Sequence, residues 1–443
     1  MDFLWGAATS SHQVEGNNDK NDWWAWEQEG HVEGGAKSGL ATDHWNRFRE
    51  DIRLAADLGL NSYRFSVEWS RIEPEEGRWD DRALEWYREL ISECEKQKIV
   101  PMLTLHHFTS PQWFARKGSF TWSEAPTRFT EYVKHVIQAL GSRVSLWCTF
   151  NEPMVLVVGT YLAKFMPPAE FSPAKASAAC RNLLDAHVQA YDLLHAELRD
   201  RPISVGIAQN LLDFEPDRAW HPLEQLFAHL LHRFYNQSWL DAVTARRQGF
   251  GIPGLIPKAP VVSRAREKPS ADFIGVNYYT KAYVQWRPRS GAEGISPDSP
   301  VGIAFARRKE KVSDLGWAIH PEGFGKMLRF ASRYRLPIYI TENGIADRED
   351  RLRREFLDSH LREVAQAIEG GIDIRGYYYW SLLDNFEWIK GFWPRFGLYS
   401  VDYGNFERKA RESALHLKKI LSAHRTQNAK GWGMLPPKAD LLK

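Results

Sequence analysis

Residues 42–69 read TDHWNRFREDIRLAADLGLNSYRFSVEW, and the change of period inside this stretch decides the fold. Trp45, Phe48, Ile52, Leu54 and Ala55 recur at helical spacing behind Thr42 and Asp43, residues of the capping type, and Gly59 supplies a stop. The sequel NSYRFSVEW packs β-branched and aromatic residues into a short strand-like run. A helix that feeds a strand is half of a βα repeat, so the next question is how often the pattern returns.

It returns along the whole chain. Short apolar runs occupy 3–10, 61–69, 100–108, 145–153, 203–211, 272–280, 337–344 and 376–384; helical stretches follow them at 43–58, 80–97, 123–140, 173–199, 221–247, 321–335, 351–370 and 407–424. Eight alternating pairs without a linker predict an α/β fold, a single (β/α)8 TIM barrel with elaborated βα loops, a design that runs from ~200 to over 400 residues as one domain. The barrel is expected over 1–426 and an irregular C-terminal tail over 427–443. The Pro-, Gly- and Ser-rich segment from Trp286 to Val312 is expected to be a long βα loop at the barrel mouth.

Composition narrows the function. Lys and Arg total 58 against 56 acids, and no run of one sign gives the footprint of a nucleic-acid binder. The basic stretch Arg307, Arg308, Lys309, Lys311 is interrupted by Glu310 and reads as a solvated loop. Cys94, Cys148 and Cys180 lie far apart with no CxxC spacing, which argues against zinc and a disulfide framework and for free thiols in a reducing compartment. The start MDFLWGAATSSHQVEG lacks a signal-peptide pattern and no stretch reaches ~18 apolar residues, so a cytoplasmic protein without a membrane span is expected. The 19 Trp residues are suggestive of carbohydrate, because flat rings stack on sugar faces, although such rings also fill cores.

In a barrel of this kind the chemistry sits at the C-terminal ends of the strands. Those ends supply Gln13, Arg64, His107, Asn151 and Glu152, Asn277 and Tyr279, Glu342, then Trp380 with Glu387 and Trp388 just beyond. Glu152 and Glu342 each close an apolar run. Buried carboxylates need partners, so the two either make ion pairs or face one cavity together. Two carboxylates across a cavity with aromatic walls are what glycoside hydrolysis requires.

The segments SSHQVEG, YRFSVEWSRIEP, HHF, TFNEP, GVNYY, ITENG and WSLLDNFEW, in this order, closely resemble glycoside hydrolase family 1, the β-glucosidase family. The resemblance runs from Leu4 to about Leu421. It implies a retaining exo-β-glycosidase without metal or cofactor, with Glu152 as general acid/base and Glu342 as nucleophile. It further implies that Asn151 holds the sugar 2-hydroxyl and that Arg64, Tyr279 and Asn277 support the nucleophile. Gln13, His107, Glu387 and Trp388 match the glycone-binding set, Trp380 the stacking platform, Trp317 the aromatic residue facing the leaving group, and Phe396 completes the substrate-binding residues. On this reading Arg64 and Tyr279 keep Glu342 ionised, while that charge raises the pKa of Glu152. The carboxyl groups of such a site stand ~5–5.5 Å apart.

The chain departs from the family pattern in places. Phe108, Thr109 and Ser110 stand where many members have Trp-Asp-Leu, on the wall of the sugar pocket. Glu387 and Pro394 occupy loop positions where the phosphosugar branch has a serine and a lysine, which disfavours phosphoglycosides. Glu387 is expected to admit β-glucosides first, with β-fucosides and β-galactosides. The rivals are a transglycosylase using the same intermediate, a non-catalytic sugar-binding barrel, and a lyase or aldolase, for which no run ends in the required lysine. His106 and His107 point to opposite faces and make no metal site; Cys148 is expected in the core, and Glu68 and Glu73 in structural ion pairs.

Overall fold

The computed structural model describes residues 3–245, 250–252, 256–259, 268–287, 293–294 and 300–428. All eight strands form where the runs predict them: β1 (Leu4–Ala8), β2 (Ser62–Ser66), β3 (Val100–His106), β4 (Leu146–Asn151), β5 (Ser204–Asn210), β6 (Phe273–Tyr278), β7 (Ile338–Asn343) and β8 (Ile374–Trp380). Each pairs in parallel with the next, and β8 closes on β1 through Leu4 opposite Gly376 to Ala8 opposite Trp380. The helices that follow them are α1 (His44–Asp57), α2 (Asp81–Lys96), α3 (Ala125–Leu140), α4 (Pro173–Glu197), α5 (Pro222–Leu231), α6 (Pro321–Ser332), α7 (Arg353–Glu369) and α8 (Glu412–Asn428).

Strand alternation divides the apolar residues between two cores. Leu4, Ala8, Met102, Leu146, Phe273, Tyr339, Tyr378 and Trp380 fill the barrel interior. Their neighbours Trp5, Ala7, Leu103, Trp147, Ile274 and Tyr377 face the helices. Phe48 and Ile52, the centre of the α1 stripe, are fully buried there, each contributing ~1.5–3 kcal/mol by leaving water. A clasp holds α1 to the segment just before α8: Arg408 donates to both oxygens of Asp51 at 2.7 and 3.0 Å, and His44 Nδ1 lies 2.7 Å from Oδ2.

The departures from the expected elements are local. Asp43 has left-handed backbone (φ 56°) and does not cap α1; its carboxylate instead accepts from Asn46 and Arg47. The helix expected over 221–247 is divided by a π-helical segment, His232–Gln237, before Ser238–Val243. The Trp286–Val312 loop contains strand: Val301–Ala304 pairs antiparallel with Lys281–Trp286 in a four-stranded sheet with Glu293–Gly294 and Asp213–Pro216. The last helix starts at Glu412, because Arg408–Ala410 pairs with Tyr399–Val401, and it takes in 427 and 428 of the expected tail; 429–443 lie outside the described residues. Arg307 pairs with Asp217 at 3.1 Å and Lys311 with Glu355 at 2.7 Å, as suits a solvated basic stretch. Cys94, Cys148 and Cys180 are buried free thiols, and no helix among the described residues is long and apolar enough to cross a membrane.

Candidate active site

The ends of β4 and β7 are irregular where the two carboxylates emerge. The β4–β5 ladder shifts register between Cys148 and Asn151, and the β7–β6 ladder between Ile340 and Glu342. Such shifts re-aim side chains that strict alternation would send elsewhere. Glu152 has left-handed backbone (φ 45°) between β4 and the helix Pro153–Tyr161, a strained turn of the kind found at functional sites. Gly344 lets the β7 exit pass close to the Trp380 carbonyl, which a Cβ at that position would strike.

Arg64, fully buried in the middle of β2 rather than at its end, organises the floor of the site. One nitrogen donates to Glu342 Oε1 at 2.6 Å, the other to Asn151 Oδ1 at 2.7 Å, and Nε to Thr104 Oγ1 at 3.1 Å. Tyr279 donates its hydroxyl to Glu342 Oε2 at 2.6 Å. Asn277 donates to Glu152 Oε1 at 2.8 Å and to Asn151 Oδ1 at 3.1 Å, its own oxygen accepting from Thr341 at 2.6 Å. Asn151 in turn donates to His107 Nε2 at 3.1 Å; with both of its oxygen contacts coming from donors, the amide orientation leaves the proton of a neutral His107 on Nδ1. Burial, with Arg64 nearby, holds that ring far below the usual histidine range.

The two carboxylates differ in their partners. Burial and the charge of Glu342 push Glu152 up to about 8, against the donors Asn277 and Asn210. Burial also raises Glu342 from the usual carboxylate range. The Arg64 charge and the Tyr279 and Arg64 hydrogen bonds pull it down without cancelling desolvation.

The sugar-pocket residues form the adjoining wall. Gln13 donates to Asn385 Oδ1 and the Phe386 carbonyl, both at 2.9 Å, and to Glu387 Oε2 at 3.3 Å. Burial and the charge of Glu342 push Glu387 up to about 8. The His107 ring lies nearly parallel to Trp380 at 5.9 Å and to Trp388 at 6.1 Å, and Phe108 meets Trp388 edge-on at 5.2 Å. Trp317 and Phe396 flank Tyr279 at 5.9 and 6.0 Å. Every site residue expected from the sequence thus enters this one constellation. His106 faces away, bonding Ser110 at 3.2 Å and packing on Phe120.

Asn210, Thr104, Thr341 and Asn385 escaped the sequence reading. Asn210 ends β5, the one strand whose end contributed nothing to the expected set, so the same strand-end rule could have found it. Tyr235, carried by the π-helical segment, donates to Asn210 Oδ1 at 2.8 Å, which turns the amide nitrogen of Asn210 toward Glu152. The ion pairs expected of Glu68 and Glu73 are replaced by hydrogen bonds: Glu73 accepts from Trp69 Nε1 and Gly77 N–H, both at 2.8 Å, and Glu68 from hydroxyls. Asp213, Glu215 and His320 group closely enough to suggest a cation, but Lys326 lies 2.5 Å from Asp213 and Lys281 3.7 Å from Glu215, so lysines already answer the charge.

A family model described as Glycosyl hydrolase family 1 matches residues 1–426. The chain belongs to glycosyl hydrolase family 1. As a family 1 enzyme it is a glycoside hydrolase of the retaining O-glycosidase class. It is 33% identical to Beta-glucosidase A of Thermotoga maritima, over 93% of this chain and 95% of that protein, and 30% identical to a Beta-galactosidase of Pyrococcus woesei, over 95% and 96%. Among solved structures, the beta-glycosidase from Pyrococcus horikoshii is 42% identical with a TM-score of 0.84, covering 95% of this chain and 93% of that one. The T. maritima beta-glucosidase in complex with castanospermine is 31% identical with a TM-score of 0.86, covering 95% and 97%.

Proposed function

We propose that this family 1 enzyme is an exo-β-glycosidase acting on β-glucosides, and also on β-fucosides and β-galactosides, with Glu342 as nucleophile and Glu152 as acid/base. The observation that carries the assignment is the asymmetry of partners. Glu342 accepts from a guanidinium and a phenol, which favour its anion, whereas Glu152 meets only neutral amides and is pushed up to about 8. The proton of the coupled pair therefore rests on Glu152.

Glu342 attacks the anomeric carbon while Glu152 gives its proton to the departing glycosidic oxygen, so the C–O bond breaks as the glycosyl ester forms. Glu152, now ionised, takes a proton from water, which attacks the same carbon and releases Glu342. Glu387, pushed up to about 8 and so mostly protonated in neutral solution, can donate through its O–H and accept through its other oxygen, which suits either epimer at the sugar 4-hydroxyl. The names of the relatives, beta-glucosidase and beta-galactosidase, agree with that tolerance. A 6-phosphate would meet the Glu387 carboxyl and no cation from Pro394.

The test is hydrolysis of nitrophenyl β-glucoside, β-fucoside, β-galactoside and 6-phospho-β-glucoside, with the anomer of the first product read by NMR. Turnover of the first three with a β-sugar released is expected. An α-sugar overturns the nucleophile assignment, and absence of turnover turns the reading toward a sugar-binding barrel.

A further inference from the structure

Glu68 has no part in the chemistry above, yet it is fully buried just past β2, the strand that carries Arg64. Its partners are hydroxyls drawn from three segments. Ser11 Oγ donates to Oε2 at 2.9 Å, Ser70 Oγ to Oε1 at 2.7 Å, and Thr109 Oγ1 lies 3.0 and 3.2 Å from the two oxygens. The Glu68 N–H donates to Tyr87 Oη at 2.7 Å, and Tyr87 in turn donates to Glu15, which fixes the base of the carboxylate.

Two of those segments carry glycone residues. Ser11 opens the short helix Ser11–Val14 that presents Gln13, and its own N–H donates to Ser66 Oγ at 2.7 Å at the end of β2. Thr109 lies two residues past His107, beyond a Phe108 held in left-handed backbone (φ 70°), and its N–H donates to the His107 carbonyl at 2.9 Å. Ser110, the next residue, exchanges main-chain and side-chain hydrogen bonds with Asp22, N–H to Oδ1 at 2.9 Å and carbonyl from N–H at 2.9 Å. An ionised carboxylate accepts at both oxygens and several lone pairs, so one side chain can receive three hydroxyls at once; an amide at the same place must turn an N–H2 toward one of them.

We infer that Glu68 is a positioning residue for glycone recognition, a carboxylate staple that sets the spacing between the Gln13 segment and the His107 loop. Thr109, one of the departures from the family pattern, is the hydroxyl that lets the His107 loop join this staple. The inference rests on the reading of Gln13 and His107 as glycone-holding residues. It places Glu68 behind the pocket wall, acting through those two side chains.

The experiment measures kcat and KM of Glu68→Gln, Thr109→Val and the double variant on nitrophenyl β-glucoside and on its 3-deoxy and 4-deoxy analogues. Each single variant is expected to lose about 10-fold in kcat/KM on the glucoside, mainly through KM, as suits a small displacement of holding groups. That loss should shrink to within about two-fold on the analogue that lacks the hydroxyl held by the displaced residue, and the double variant should be no worse than the poorer single one. Equal losses on all three substrates, or a lowered melting temperature with unchanged kinetics, overturn the staple. Thr109→Val, which removes one hydroxyl at constant volume, decides the matter if Glu68→Gln does not fold. Gln13→Ala and His107→Ala run beside them separate the two claims: if these leave the glucoside and deoxy-glucoside ratios unchanged, it is the pocket reading that fails.

Discussion

Arg64 and Glu342, 278 positions apart in the chain, meet inside the barrel at 2.6 Å with both side chains almost completely shielded from water. A buried carboxylate would neutralise if left alone, and a buried guanidinium cannot, so each makes the other tolerable. Because the second arm of Arg64 holds Asn151 beside Glu152, the pair also sets how the two carboxylates stand toward a common substrate.

Tyr279 adds a second donor to the Glu342 anion. A donor to the charged form lowers a carboxyl pKa, so removing it raises that pKa. Tyr279→Phe is therefore expected to move the acidic limb of the kcat/KM profile to higher pH, by about one to two units for a charge-assisted bond of ~1.5–3 kcal/mol. A limb that stays in place assigns it to another group.

Glu342→Gly should abolish hydrolysis of β-glucosides while leaving the cavity intact. Added azide should restore turnover of an activated glucoside and yield the α-glycosyl azide, identified by NMR. A β-adduct would mark the wrong carboxylate.

Glu152 is expected to reveal itself through leaving groups and through pH. Glu152→Ala should cost about 10² to 10⁴-fold on poor leaving groups and far less on dinitrophenolate. The wild-type kcat/KM should fall as pH rises through about 8, where Glu152 loses the proton it must donate, and this alkaline limb should vanish in the variant on the activated substrate. Equal losses on both substrate classes would remove Glu152 from the acid role.

Asp22 gives a stability test. Burial pushes its carboxyl up to about 7, against backbone donors at Ser110 and Trp23 that both reach Oδ1. Its ordinary pKa in the unfolded chain is near 4, so its contribution is complete below that value and is lost as pH rises through 7. Asp22→Asn keeps the accepting oxygen and cannot ionise. Its melting temperature should match wild type near pH 4 and exceed it at pH 8; parallel curves at both would show that Asp22 ionises freely.

The α1 clasp makes a prediction of the opposite sign. Removing Arg408 leaves Asp51 buried with His44 alone, and Arg408→Ala should cost about 3–5 kcal/mol in denaturant unfolding. A loss below ~1 kcal/mol would mean that water reaches the carboxylate.

The barrel was legible because its information is local. Eight β-branched and aromatic runs separated by helical periods can pack only as repeated βα units, and their C-terminal ends name the residues that face the mouth. Asn210 obeyed the same rule and was overlooked because its strand carried no charged or aromatic ending. Asp43 does not cap α1 because its backbone is left-handed and its carboxylate is taken locally by Asn46 and Arg47, three and four residues on. The strand in the Trp286–Val312 segment was hidden because Val301–Ala304 is short and is separated from its pairing partner Lys281–Trp286 by a sequence rich in Pro, Gly and Ser.

The order and spacing of its motifs, read as sequence alone, determined the (β/α)8 fold and the family, and singled out Glu152 and Glu342 as the carboxylates on which the proposed chemistry rests. Only the tertiary structure decided what each polar group does to its neighbours. Sequence separation says nothing of the 2.6 Å between Arg64 and Glu342, of the register shifts that turn the carboxylates inward, or of the hydroxyls that Glu68 gathers from Ser11 and Thr109. Burial and charge act through space over a few ångströms, and it is closure of the barrel that brings residues hundreds of positions apart within that range.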